Sequence, residues 1–121
     1  MKTSKSYFNR FKKEFLRWQH LLGLTQYRID FFHESLRQAD GTTYYAQAQI
    51  FESDKFIKVT LTTQIKDPSI DTGPESHARH EAIHLLIHRL TWLAESRFNL
   101  TSGDIDEEAE AIVVRLEKVL K

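Results

Sequence analysis

At 121 residues, 40 % hydrophobic and 28 % charged, the chain can bury one core and is too short for two independent ones. Seventeen basic and seventeen acidic residues cancel, so bulk charge draws it neither to nucleic acid nor to an anionic membrane surface. No cysteine is present, which excludes disulfides and thiolate metal sites and leaves His, Asp, Glu or water for any bound metal.

The N-terminal stretch MKTSKSYFNRFKKEF is basic but lacks the uninterrupted apolar run of a signal peptide, and no later segment approaches the ~18 apolar residues of a membrane span. The expectation is a soluble, cytoplasmic protein without a membrane partner. From Ser6 to Leu22, Tyr7, Phe8, Phe11, Phe15, Trp18 and Leu22 recur at helical spacing on one face, and Gly23 supplies the stop. These aromatics read as core, with Lys12, Lys13 and Arg17 as the solvated side.

The period then changes. YRIDFF, TTYYAQAQIF and FIKVTLT each alternate as half-buried strands do. ADG at 39–41 and ESDK at 52–55 carry turn chemistry, and the second is short enough to make 42–51 and 56–62 a hairpin. TQIKDPSIDTGP, with two prolines and a glycine, reads as a surface loop.

A second helix follows over 76–97, with Ile83, Leu86, Ile87, Leu90 and Ala94 as its apolar stripe. A third begins at Asp104, where D-x-x-E through Glu107 has the form of a capping box, and runs to Leu120. The predicted architecture is a single α+β domain over 1–121: an N-terminal helix, a small three-stranded, mostly antiparallel sheet, and two further helices.

His80-Glu81-Ala82-Ile83-His84 is H-E-x-x-H. Four residues apart on a helix, the two imidazoles leave one face about one turn apart and can grip one Zn²⁺. Glu81, beside His80, can take a proton from the water held by the metal and deliver it to a leaving amine. His80 and His84 are therefore candidate ligands, and Glu81 the candidate catalytic base.

Two histidines leave a catalytic zinc one protein ligand short. Leu90 stands where a third histidine of the H-E-x-x-H-x-x-G-x-x-H pattern would be, which excludes that arrangement. The supply of carboxylates is DIDEEAEAIVVRLEKVL. Taking Ile105, Ala109, Ile112, Val113, Leu116 and Leu120 as the buried stripe, Glu107 points away from the core, Glu108 sits about 80° from the stripe centre and Glu110 about 120°. Glu108 is the choice for third ligand, with Glu110 as the alternative.

HEAIHLLIH followed by EAEAIVVRL resembles the gluzincin type of H-E-x-x-H zincin metallopeptidases, in particular the ImmA/IrrE-like and small phage-encoded members. The likeness covers roughly residues 57–120, and the apolar-Pro ending of the second motif is missing. It implies a minimal zincin-like fold, metal-holding roles for His80, His84 and Glu108, and the base role for Glu81. It also implies an edge strand near FIKVTLT and a phage or bacterial protein or peptide substrate.

Other residues bear on the same chemistry. His88 lies two turns, ~12 Å, from His80 and is too far to share its ion. His77 either faces solvent or contacts a ligand from one turn upstream. Tyr44, Tyr45 and Arg79 are the residue types suited to stabilising a developing oxyanion. The function expected is hydrolysis of a peptide bond by zinc and Glu81. The alternatives are a metal-binding accessory or interaction protein without peptidase activity, and a metal-free structural module.

Overall fold

The computed structural model describes residues 1–36, 45–65, 68–95 and 102–120. The predicted 39–41 turn, Tyr44 and the 96–97 end of the second helix lie outside the described residues. The order is helix α1 (Lys5–Leu21), strands β1 (Arg28–His33), β2 (Ala46–Phe51) and β3 (Phe56–Leu61), then helices α2 (Pro74–Glu95) and α3 (Ser102–Val119). This is the α+β layout expected.

Helix α1 starts where the Ser4 hydroxyl accepts the Tyr7 N–H at 3.0 Å, an N-cap satisfying one orphan donor. It ends in a Schellman arrangement: Leu24 N–H bonds the Gln19 carbonyl, Gly23 N–H bonds His20, and Gly23 takes φ +68°. Gln19, polar on an apolar stripe, is buried and donates from Nε2 to the Leu24 and Tyr27 carbonyls, stitching the helix end to the entry of β1.

The sheet is mixed, in the order β1-β3-β2. The predicted β2–β3 hairpin is antiparallel, with Ala46 opposite Leu61 and Ile50 opposite Ile57, turning through a short 3₁₀ segment at Glu52–Asp54. Strand β1 pairs β3 in parallel. The segment around FIKVTLT is therefore the central strand and not the edge that the resemblance implied; β2 is the edge beside α2. Period-two alternation places Ile29 and Phe31, Ile57, Val59 and Leu61, and Ala46, Ala48 and Ile50 on one face. Phe11 and Phe15 of α1 and Ala78, Ala82, Leu85 and Leu86 of α2 close the core over that face.

Helix α2 begins two residues before the expected start, because Pro74 fits the first helical position after Gly73 at φ +95°. Its buried flank differs from the predicted stripe. Leu86 is inside, but Ile83 and Ile87 are 40 % and 41 % exposed and Ala94 is exposed, while Leu85 is buried. Helix α3 also starts earlier, at Ser102, so position 104 lies inside its first turn and not ahead of it. Its core contacts are Ile112, Leu116 and Val119, with Val113 and Leu120 exposed. Among the described residues no helix is long and apolar enough to cross a membrane.

Candidate metal centre

A cleft of about 650 Å³ opens between α2 and the edge strand β2, and His77, His80, Glu81, His84 and His88 all line it. Their positions, 77, 80, 81, 84 and 88, follow the three- and four-residue recurrence of one helical face. That face is a polar row, while Ala78, Ala82, Leu85 and Leu86 form the apolar flank that anchors α2 to the core.

The two motif histidines converge. Their Nε2 atoms lie 3.0 Å apart with the rings at 75°. A tetrahedral zinc ~2.0–2.1 Å from each nitrogen would set them about 3.3 Å apart, so the pair fits a divalent ion with little adjustment. Partial burial and then the neighbouring His84 and His77 hold the His80 imidazole below its ordinary range. His80 is thus neutral at pH 7, with the lone pair a metal needs.

Glu81 is only 8 % exposed. Burial pushes its carboxyl up to about 7, opposed by the backbone N–H of Ala48, which donates to it. The sheet register explains that donor. Thr62 N–H bonds the Tyr45 carbonyl, so residues 47, 49 and 51 turn their backbone groups to β3, and residues 46, 48 and 50 turn theirs outward. Glu81 occupies the outward amide of Ala48.

The proposed third ligand stands elsewhere. Glu108 is half-buried on α3 but opens onto a separate cleft of about 190 Å³ that it shares with Leu85, Leu86 and Arg115. Helix α3 packs on the core through Ile112, Leu116 and Val119, and the cleft that Glu108 lines includes none of His77, His80, His84 and His88. Glu107 and Glu110 are exposed. Among the described residues no three His, Asp or Glu side chains converge as a metal-holding group. The donors present fit two positions of an ion.

Sequence reasoning also missed partners of the cleft residues. Asp71 meets His77 Nε2 at 2.8 Å and the Tyr7 hydroxyl at 2.8 Å, and Tyr45 stacks on the His77 ring at 4.8 Å. The available signal was Asp-Thr-Gly-Pro before a helix, since an Asp two residues ahead of a Gly forms an Asx turn, and Asp71 does accept the Gly73 N–H at 3.0 Å. His88 lies at the other end of the cleft, 3.5 Å from buried Glu52. Of the oxyanion-stabilising types, Tyr45 lines the cleft and Arg79 is exposed, close enough to Glu14 of α1 to act on its charge.

Comparison with protein-family models, with curated proteins and with solved structures finds no significant match.

Proposed function

We propose that the chain is a zinc-dependent hydrolase of peptide bonds, with His80 and His84 holding the ion and Glu81 as general base. The observation that carries this reading is the meeting of two imidazole nitrogens at 3.0 Å in a cleft that also holds a buried carboxyl. Helical phase and the resemblance imply Glu108 as third ligand, but it opens onto a separate cleft and carries no part of this reading.

A divalent ion there would supply Lewis acidity to a scissile carbonyl and to a water. The chain's own residues do the rest. Glu81 takes a proton from the attacking water on a carboxylate oxygen and returns it to the leaving amine nitrogen. The outward backbone groups of Ala46 and Ile50 on β2 are suited to hold an extended peptide as an added strand. The resemblance makes the substrate a regulatory protein or assembly component in a phage or bacterial cytoplasm.

Metal analysis of the purified protein and a Glu81→Gln variant, with labelled casein as substrate, tests the reading. The expected result is equimolar zinc in both and hydrolysis in the wild type alone. Equal hydrolysis by both, or zinc in neither, discards it. A second reading, a metal-binding interaction protein without catalysis, is favoured by the lack of a converging third ligand among the described residues. It predicts bound zinc and no hydrolysis in either form.

A further inference from the structure

The end of the cleft nearest the start of α2 carries a second polar arrangement that the reaction above leaves unused. Asp71 there receives three donors on its carboxylate: the Gly73 N–H at 3.0 Å, the Tyr7 hydroxyl at 2.8 Å and His77 Nε2 at 2.8 Å. An ionised carboxylate only accepts, so the ring proton of His77 sits on Nε2. In the neutral imidazole Nδ1 is then a bare lone pair.

That lone pair is available and its direction is fixed. Nδ1 has no hydrogen-bond partner among the described residues, and it is not one of their buried unsatisfied atoms. The ring is clamped by Asp71 at one edge and by Tyr45 stacked on its face with 13° between planes. The His77 and Asp71 side chains are 14 % and 11 % exposed. Its hold comes from three places in the chain: Asp71 ahead of α2, itself bonded by Tyr7 of α1, and Tyr45 just before β2.

The opposite wall of the cleft indicates what the lone pair meets. A peptide laid on the β2 edge pairs with the outward groups of Ala46 and Ile50, the Ala48 N–H between them being taken by Glu81. The alternate amides of that peptide face α2, where an unpaired buried N–H costs about 1–3 kcal/mol. On the α2 wall, His77 Nδ1 is an acceptor.

We propose that His77 is a substrate-binding residue, its Nδ1 accepting a hydrogen bond from a backbone N–H of an extended peptide held between β2 and α2. Asp71 and Tyr7 are positioning residues that keep the proton on the far nitrogen. The inference rests on the peptide-cleft part of the proposed function and is independent of zinc and of cleavage.

The test uses the full chain labelled with ¹⁵N at histidine and the blocked tripeptide acetyl-Ala-Ala-Ala-amide as probe, followed in imidazole ¹⁵N–¹H spectra. The free protein is expected to show His77 protonated at Nε2, and the peptide to move its Nδ1 resonance. His77→Asn places a carbonyl oxygen where Nδ1 was and should keep affinity within about threefold, while His77→Phe, which can still stack on Tyr45, should lose roughly tenfold or more. Asp71→Asn should shift the ring proton to Nδ1 and weaken binding similarly. Three outcomes overturn the proposal: a wild-type ring protonated at Nδ1, peptide-induced shifts in β2 with His77 unmoved, or no binding of the probe. Protein without zinc or hydrolysis that still binds the probe through His77 would remove the hydrolase reading and leave this one standing.

Discussion

Helices α1 and α2 pack on the same core, yet only α1 has the buried face its spacing predicts. In α1 the fully buried positions are Phe11 and Phe15, both on the predicted stripe, and the polar exception, Gln19, serves two carbonyls. Helix α2 has apolar residues around most of its circumference. It meets α1 and α3 as well as β2, and it turns Ile83 and Ile87 outward while burying Ala82 and Leu85. Helix α1 turns one face to α2 and the sheet together and shows it as a stripe; α2, with α1, α3 and β2 on different sides, does not.

The sharpest way to break that comparison is by truncation. Phe15→Ala should cost about 3–5 kcal/mol and Leu85→Ala about 2–5 kcal/mol, against under ~1 kcal/mol for Ile87→Ala, all read from denaturant melts. Equal losses for Leu85→Ala and Ile87→Ala would mean that α2 is turned differently.

The polar row of α2 should behave in the opposite sense. Burial raises the Glu81 carboxyl to about 7 in the metal-free protein, so between the ordinary carboxyl range and pH 7 the folded state holds more protons than the unfolded state. Stability should therefore fall as pH rises through that window and level off above it. Glu81→Gln should remove this slope and stabilise the protein by on the order of 2 kcal/mol at pH 8, with little effect at pH 4. A wild-type melting temperature that does not change between pH 5 and 8 would contradict the burial described.

Asp71 should contribute less, and with the reverse sign. Burial alone would raise it, but the Gly73 N–H, His77 and Tyr7 outweigh burial and hold it below the usual carboxylate range. Its contribution is present above the ordinary carboxyl pKa and is lost as pH falls through the lowered one. Asp71→Asn should cost roughly 1–2 kcal/mol at neutral pH, with the loss shrinking in acid. The smallest effect belongs to the exposed Arg10–Glu75 pair that joins α1 to α2 at 2.8 Å. Arg10→Ala should cost under about 1 kcal/mol, and less still in high salt.

The local elements were legible in the chain for local reasons. Ser4 and Gly23 bound α1 through contacts within a few residues, the β2–β3 hairpin follows from a four-residue turn, and helical geometry alone puts His80 and His84 one turn apart. Glu108 illustrates where this reach ends. Helical phase correctly made it more buried than Glu107 or Glu110, but phase measures rotation about one axis and carries no information about which side of α2 that axis passes.

By itself, then, the sequence determined the order and type of its elements, the alternation that gives the sheet an inner face, and the pairing of the two motif histidines. Tertiary structure decided that β3 is central and β2 the edge, that Leu85 is buried and Ile87 is not, and that Tyr7 and Asp71, 64 residues apart, share a hydrogen bond that aligns His77. The division has a physical reason. Hydrogen bonds within a turn or a helix are set by neighbouring dihedrals, whereas the choice of strand neighbour and helix flank depends on how apolar surfaces from the whole chain close over one core.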